Sequence, residues 1–321
     1  MENHRITTLN DNSLRTPLLI FGGAIILLLF VVRGLQPESG RPPTVLTAQP
    51  SYALSQAARD ELPSLPATIA EDIQRHGYVS VTIHVGLFDR DASGATFANG
   101  DDPRTNLYWG ALYGIDTHLP NAADWRRVHR DQGRDEHIIA RSVFQKHVTP
   151  SEHWVAFGVT RPFDVYVLAN AWRHDHLVEA MEQPIRDAIC GAVTQIPIEG
   201  RLIEFAGASA VVGYVGQNHM LDEYWDPLAR LDGCHLTRRI GIFYAAPFSA
   251  AALHRPLEET GLYSVLFTRN RITPEAYVVD GILDALIVGD LDDGFVDSAA
   301  AQYARYQKGV GIETARSFFI R

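Results

Sequence analysis

A short apolar, β-branched run lies at residues 210–216 (Ala-Val-Val-Gly-Tyr-Val-Gly). It stops at Gly216 and is followed at once by Gln217, Asn218, His219 and Asp222. A short β-branched run bounded by turn residues predicts a strand buried on both faces. Over residues 78–89, Val79, Val81, Ile83, Val85 and Leu87 alternate with Ser80, Thr82, His84 and Gly86. That alternation predicts a strand with His84 on its polar, surface side. Further strands are expected over residues 138–148, 154–160, 163–172, 239–244 and 262–267. Helical spacing covers residues 174–193 (Leu177, Ala180, Met181, Ile185, Ile189) and 273–288 (Ala276, Val279, Ile282, Leu283, Leu286). It also covers 67–76, 247–260, 295–308 and 313–321. Asp102 and Pro103 predict a helix start that carries Tyr108, Trp109 and Tyr113, with these aromatics as core. The Arg-rich stretch 120–137 predicts a surface helix and loop.

Strand and helix alternate from about residue 155 to 288, which implies an α/β fold: a mainly parallel sheet with helices on both faces. In such a sheet, ligands and chemistry gather beyond the carboxyl ends of the strands. Residues 217–222 are therefore the first place to look for a site.

The N-terminal region has a different character. Residues 16–32 are uncharged and apolar between Arg15 and Arg33, long enough for a membrane helix at the lower limit. No small-x-small cleavage site follows, so the segment reads as one uncleaved transmembrane anchor. The expected organisation is a tail at 1–15, the anchor at 16–33, a Pro-rich linker at 34–68 and an α/β domain at 69–321. The expected location is the bacterial inner membrane, single-pass through residues 16–32, with the bulk of the chain periplasmic.

A formal net charge of −10 argues against nucleic acid as partner. The chemistry-bearing residues are sparse. Cys190 and Cys234 are the two cysteines; they read as unpaired, largely buried thiols, with a disulfide between them as the alternative in an oxidising compartment. The His174-x-His176 pair has no third ligand at recognisable spacing and reads as helix-cap chemistry rather than a metal site. The segment Asp290-Leu-Asp-Asp-Gly lacks the spacing and closing Glu of a calcium loop. No cofactor is expected.

Several segments together resemble a family of bacterial, largely uncharacterised envelope proteins. They are the strand ending in Leu87-Phe-Asp-Arg-Asp, the segment Asn99-Gly-Asp-Asp-Pro-Arg-Thr-Asn-Leu-Tyr-Trp-Gly, and Thr273-Pro-Glu-Ala-Tyr. That family shows Gly-His after one strand and Ala-Cys after the next, the layout of caspase-like, clan CD cysteine peptidases. The resemblance covers most of residues 78–308 and implies a caspase-like three-layer sandwich. It also implies an imidazole and a thiol delivered side by side from adjacent parallel strands. Here Gly-His becomes Gly216-Gln217, and Ala-Cys aligns with Phe243-Tyr244. Gln does not carry a proton, and a Tyr hydroxyl titrates near about 10. The resemblance therefore implies a domain that has lost its dyad and acts by binding a protein, peptide or glycan. Gln217, Asn218, His219, Asp222, Tyr244 and Arg269 are expected around the pocket. The competing reading is a hydrolase of altered chemistry, with His219 and Asp222 as base and orienter and Tyr244 or Ser249 nearby.

Overall fold

The computed structural model describes residues 56–89, 96–132, 136–221, 226–231 and 233–321. The expected tail, anchor and residues 34–55 of the linker lie outside them. Among the described residues, no helix is long and apolar enough to cross a membrane. The linker's last part is folded, as helix α1 (Gln56–Glu61) and the start of α2 (Leu65–His76). Leu65 is fully buried.

From α2 the chain enters β1 (Tyr78–Gly86), then α3 (Ile115–Ala122), β2 (Arg126–Gln132), β3 (Ile138–Val148), α4 (Glu152–Ala156) and β4 (Phe163–Trp172). Helix α5 (Leu177–Cys190) leads to a hairpin of β5 (Val193–Ile198) and β6 (Arg201–Ala206), and then to β7 (Val211–Val215). The last part runs β8 (Gly241–Ala245), α6 (Arg255–Glu259), β9 (Tyr263–Thr268), α7 (Ala276–Val288), α8 (Asp293–Tyr306), α9 (Ile312–Ser317) and β10 (Phe319–Ile320). Apart from the β5–β6 hairpin, the strands form one 8-stranded mixed sheet in the order β10-β9-β8-β7-β1-β4-β3-β2. Strands β9, β8, β7, β1 and β4 are parallel to one another, and antiparallel strands close both edges.

Helices cover both faces. Val79, Val81, Ile83 and Val85 pack with Ile69 of α2, Leu119 of α3, Ile282 of α7 and Phe295 of α8. On the other face Val212, Tyr214, Ile242 and Tyr244 pack with Ala180, Met181 and Ile185 of α5 and Leu257 of α6. This double cover overturns one expectation. His84 is 3% exposed, not on a strand surface, because the polar side of β1 lies beneath α5 and the turn before β7. Each polar group there has a partner inside the protein. Thr82 Oγ1 lies 2.8 Å from Ser209 Oγ and accepts from the Ala206 N–H at 2.9 Å. His84 Nε2 lies 2.9 Å from Asp187 Oδ2, and the Trp172 indole N–H donates to His84 Nδ1 at 2.9 Å. An Nδ1 that accepts carries no hydrogen, so the ring hydrogen sits on Nε2, facing the carboxylate.

Other expectations change for local reasons. The 120–137 stretch contains a strand, β2, whose charged side chains line the sheet edge, a usual protection for an edge strand. Residues 154–160 do not form a strand. Ser151 accepts from the Trp154 N–H and starts α4, and the fully buried Trp154 indole donates to the Leu286 and Ile287 carbonyls. The 103–114 segment is a series of turns, and regular helix begins only at Ile115. A Cβ on Gly110 would lie 2.1 Å from the Arg104 carbonyl oxygen. Asp102 accepts from the Arg104 N–H, closing a turn instead of capping a helix. The segment 313–321 ends in β10, paired with β9.

Cys190 and Cys234 form a disulfide, with Cα atoms 4.7 Å apart, so the reading as unpaired buried thiols is corrected. The bond joins the end of α5 to the segment before β8. A sequence separation of 44 corresponds to about 4 kcal/mol of loop-closure stabilisation in the chain-entropy model. Replacing both residues by Ser is expected to lower the unfolding free energy by about that amount, read from urea midpoints. Identical midpoints with and without a dithiol reductant would show that the bond contributes nothing.

Candidate functional site

The carboxyl ends of β1 and β7 meet where the connections reverse direction. The next parallel strand after β1 lies on one side, and that after β7 on the other. Such a point opens a crevice in parallel sheets. Here the crevice floor is occupied. Tyr214 is fully buried, and its hydroxyl donates to the Gln217 carbonyl at 2.9 Å. A Cβ on Gly86 would lie 2.3 Å from that hydroxyl oxygen, and one on Gly216 would lie 2.6 Å from it. Gly216 also has φ 154°, a conformation that suits glycine. The two glycines therefore exist at these strand ends because the tyrosine fills the space between them.

Beyond Gly216, Asn218 ties β7 to β8. It is 5% exposed; Nδ2 donates to the Pro247 carbonyl at 2.7 Å, and Oδ1 accepts from the Met220 N–H at 3.1 Å. Gln217 is half-buried beside it, and His219, also half-buried, opens a short 3-10 turn (His219–Leu221). Asp222 lies outside the described residues. The facing strand end is Ala246-Pro247-Phe248. Phe248 has φ 56° and its N–H donates to the Asn270 carbonyl. Holding a bulky residue in the left-handed region costs on the order of 1–3 kcal/mol, and such strain concentrates at functional sites. Arg269 is exposed just past β9, with its backbone N–H on the Phe318 carbonyl.

Tyr244 is not at this rim. It stands in register with Tyr214, so its side chain points to the same face, beneath α5. It is fully buried, and its hydroxyl donates to the Met181 carbonyl at 2.6 Å. Burial holds that hydroxyl well above its ordinary pKa of 10. Ser249 is equally engaged. Its Oγ donates to the Tyr244 carbonyl at 2.8 Å and accepts from the Thr268 N–H at 3.0 Å. The side chains that top β8 are Ala246 and Pro247, which have neither proton nor lone pair to offer.

The flanking loop is held by Asn106, a residue the sequence reading passed over. It is fully buried. Its Nδ2 donates to the Phe88 and Asn99 carbonyls, and its Oδ1 accepts from the Phe88 and Tyr108 N–H groups. One side chain thus joins the end of β1 to the Leu-Tyr-Trp-Gly turns. Those turns meet the Pro-Glu-Ala-Tyr segment, where the Ala276 N–H donates to the Tyr113 carbonyl at 2.8 Å. Glu275 is at that junction, 6% exposed, and burial pushes its carboxyl up to about 7, against the opposing hydrogen bond of Tyr277. It stands at the N-cap of α7 without a side-chain cap bond, and its burial is set by tertiary packing.

The His174-x-His176 pair splits. His174 Nδ1 is 3.3 Å from Asp89 Oδ2, while the His176 ring stacks on His137 with centroids 3.8 Å apart. Neither caps α5 by its side chain. Among the described residues, no group of three or more His, Cys, Asp or Glu is placed to hold a metal ion.

In comparisons with protein-family models, curated proteins and solved structures, nothing matches this chain.

The raised Glu275 pKa gives a signed prediction. The folded state holds this proton more tightly than the unfolded chain, whose value lies near 4.5. The stability it contributes is therefore full below about 4.5 and is lost as pH rises through about 7. Relative to wild type, Glu275→Gln is expected to gain about 3 kcal/mol in unfolding free energy between pH 4.5 and 7.5. Urea unfolding at the two pH values measures this, and parallel behaviour of the two proteins would contradict it.

Proposed function

We propose that this chain is a caspase-like α/β domain held at the bacterial inner membrane by residues 16–33, with its bulk on the periplasmic side. In this reading it binds a peptide, glycan or protein over its strand ends instead of cleaving a substrate. The observation that carries the reading is the facing pair of strand ends. Strands β7 and β8 are adjacent and parallel, the arrangement that would deliver an imidazole and a thiol side by side. The rim they form holds Gln217, Asn218 and Ala246-Pro247. The Cys190–Cys234 disulfide supports an oxidising compartment.

The hydrolase reading needs a nucleophile. Its two candidates are each bonded inside the core, Tyr244 to the Met181 carbonyl and Ser249 to the Tyr244 carbonyl. His219 and Asp222 would then have no hydroxyl among those named to activate.

A peptidase and esterase panel on the detergent-solubilised full-length chain tests this, with His219→Ala as control. Equal, background rates in both proteins are expected, together with a discrete partner crosslinked in native membranes and lost on Gln217→Arg. Turnover that disappears in His219→Ala would establish the hydrolase instead.

A further inference from the structure

The Cys190–Cys234 bond lies at the surface. Cys190 is exposed at the end of α5, as are the next residues, Gly191, Ala192 and Val193. Cys234 is half-buried between the exposed Gly233 and His235. Exposed disulfides are the ones that exchange with outside thiols, whereas buried ones are shielded from attack. The fold on each side of this bond also has ties of its own. At the end of α5 the Gly191 N–H donates to the Asp187 carbonyl at 3.2 Å, and the Gly207 N–H donates to the Ala192 carbonyl at 2.9 Å. On the other side Leu228, Leu231 and Leu236 are buried in one cluster with Ala180 and Met181 of α5, and Arg230 pairs with Glu182 at 3.3 Å. Opening the bond therefore leaves the fold in place and removes one tie between α5 and the connection from β7 to β8.

We propose that this bond is a thiol–disulfide exchange site, opened in the folded protein by the dithiol of a partner oxidoreductase, and that opening it loosens the β7–β8 connection. A partner thiolate attacks the Sγ of Cys190, the more exposed residue of the two. A new S–S bond forms to the partner, the Cys190–Cys234 bond breaks, and its electron pair leaves on Cys234 Sγ, which takes a proton from water. The partner's second thiolate then attacks the partner's own bonded sulfur and releases Cys190 as a thiolate. The partner ends oxidised to a disulfide, and this chain is reduced by two electrons. Cys190 and Cys234 are the two cysteines of the sequence, so within the chain the reduced pair can reclose only on itself. The site stands whether or not the strand-end rim binds anything.

The test mixes the oxidised full-length chain, without denaturant, with a thioredoxin whose second active-site cysteine is replaced by Ser, which traps the mixed disulfide. Peptide mapping by mass spectrometry should find the adduct on Cys190, formed at a rate unchanged by urea below the unfolding transition. In a second arm dithiothreitol reduces the chain. Far-UV circular dichroism should be retained, and amide exchange over residues 226–231 should rise about tenfold or more with no change in β1. Reoxidation with oxidised glutathione should restore the original exchange. The proposal is overturned if the bond opens only as the protein unfolds in urea or if the adduct lies on Cys234. It is equally overturned if the reduced chain loses its fold, or if exchange over 226–231 stays unchanged or rises only in step with β1.

Discussion

The structure depends on one constraint: the central parallel strands are covered on both faces, so the polar side chains near their carboxyl ends need partners within the protein. Register aligns Asn170, His84, Tyr214, Tyr244 and Phe267 in one row across β4, β1, β7, β8 and β9. Each polar member of that row has a partner inside the fold. The Arg141 guanidinium donates to Asn170, His84 lies between Trp172 and Asp187, Tyr214 bonds Gln217 and Tyr244 bonds Met181. An unsatisfied group there would cost roughly 1–3 kcal/mol. This is why two tyrosines and a histidine near the expected site belong to the scaffold.

The same constraint shapes the rim. Because the Tyr214 hydroxyl fills the space between the ends of β1 and β7, Gly86 and Gly216 must be bare there, and the chain turns outward at Gln217. Asn218 then fixes the distance to β8 through Pro247, and Asn106 fixes the adjoining loop. The resulting strand end is well ordered by hydrogen bonds yet offers amide, carbonyl and apolar groups where a reacting pair would stand. In the proposed reading, such a preorganised rim serves recognition.

Much of the architecture was legible in the amino-acid order. The strands at 163–172 and 211–215 stand out because a fully buried parallel strand is a continuous apolar run. What failed shares one cause, the dependence of meaning on tertiary cover. The alternation in β1 looked half-exposed, but α5 and the turn before β7 bury its polar side. The run 154–160 was too short to separate strand from helix, and the anchoring of Trp154 in the carbonyls of α7 decided it. The hairpin at 193–206 escaped because its outward residues, Val193 and Leu202, stay exposed while Ile196, Ile198, Ile203 and Phe205 pack on the sheet, which blurs the period-2 signal. Placing Tyr244 at the rim was an error of strand phase: the chain continues through Ala245 and Ala246 before it turns. The burial of Glu275 left no mark in the sequence, because it depends on which turns pack over the start of α7.

The most direct test of an unreactive rim is covalent. The full-length chain would be incubated with a fluorophosphonate, which phosphonylates activated hydroxyls, and mapped by mass spectrometry. The account predicts no adduct on Tyr244 or Ser249 in the folded protein. A stoichiometric adduct on either residue, abolished by prior unfolding or by His219→Ala, would contradict it.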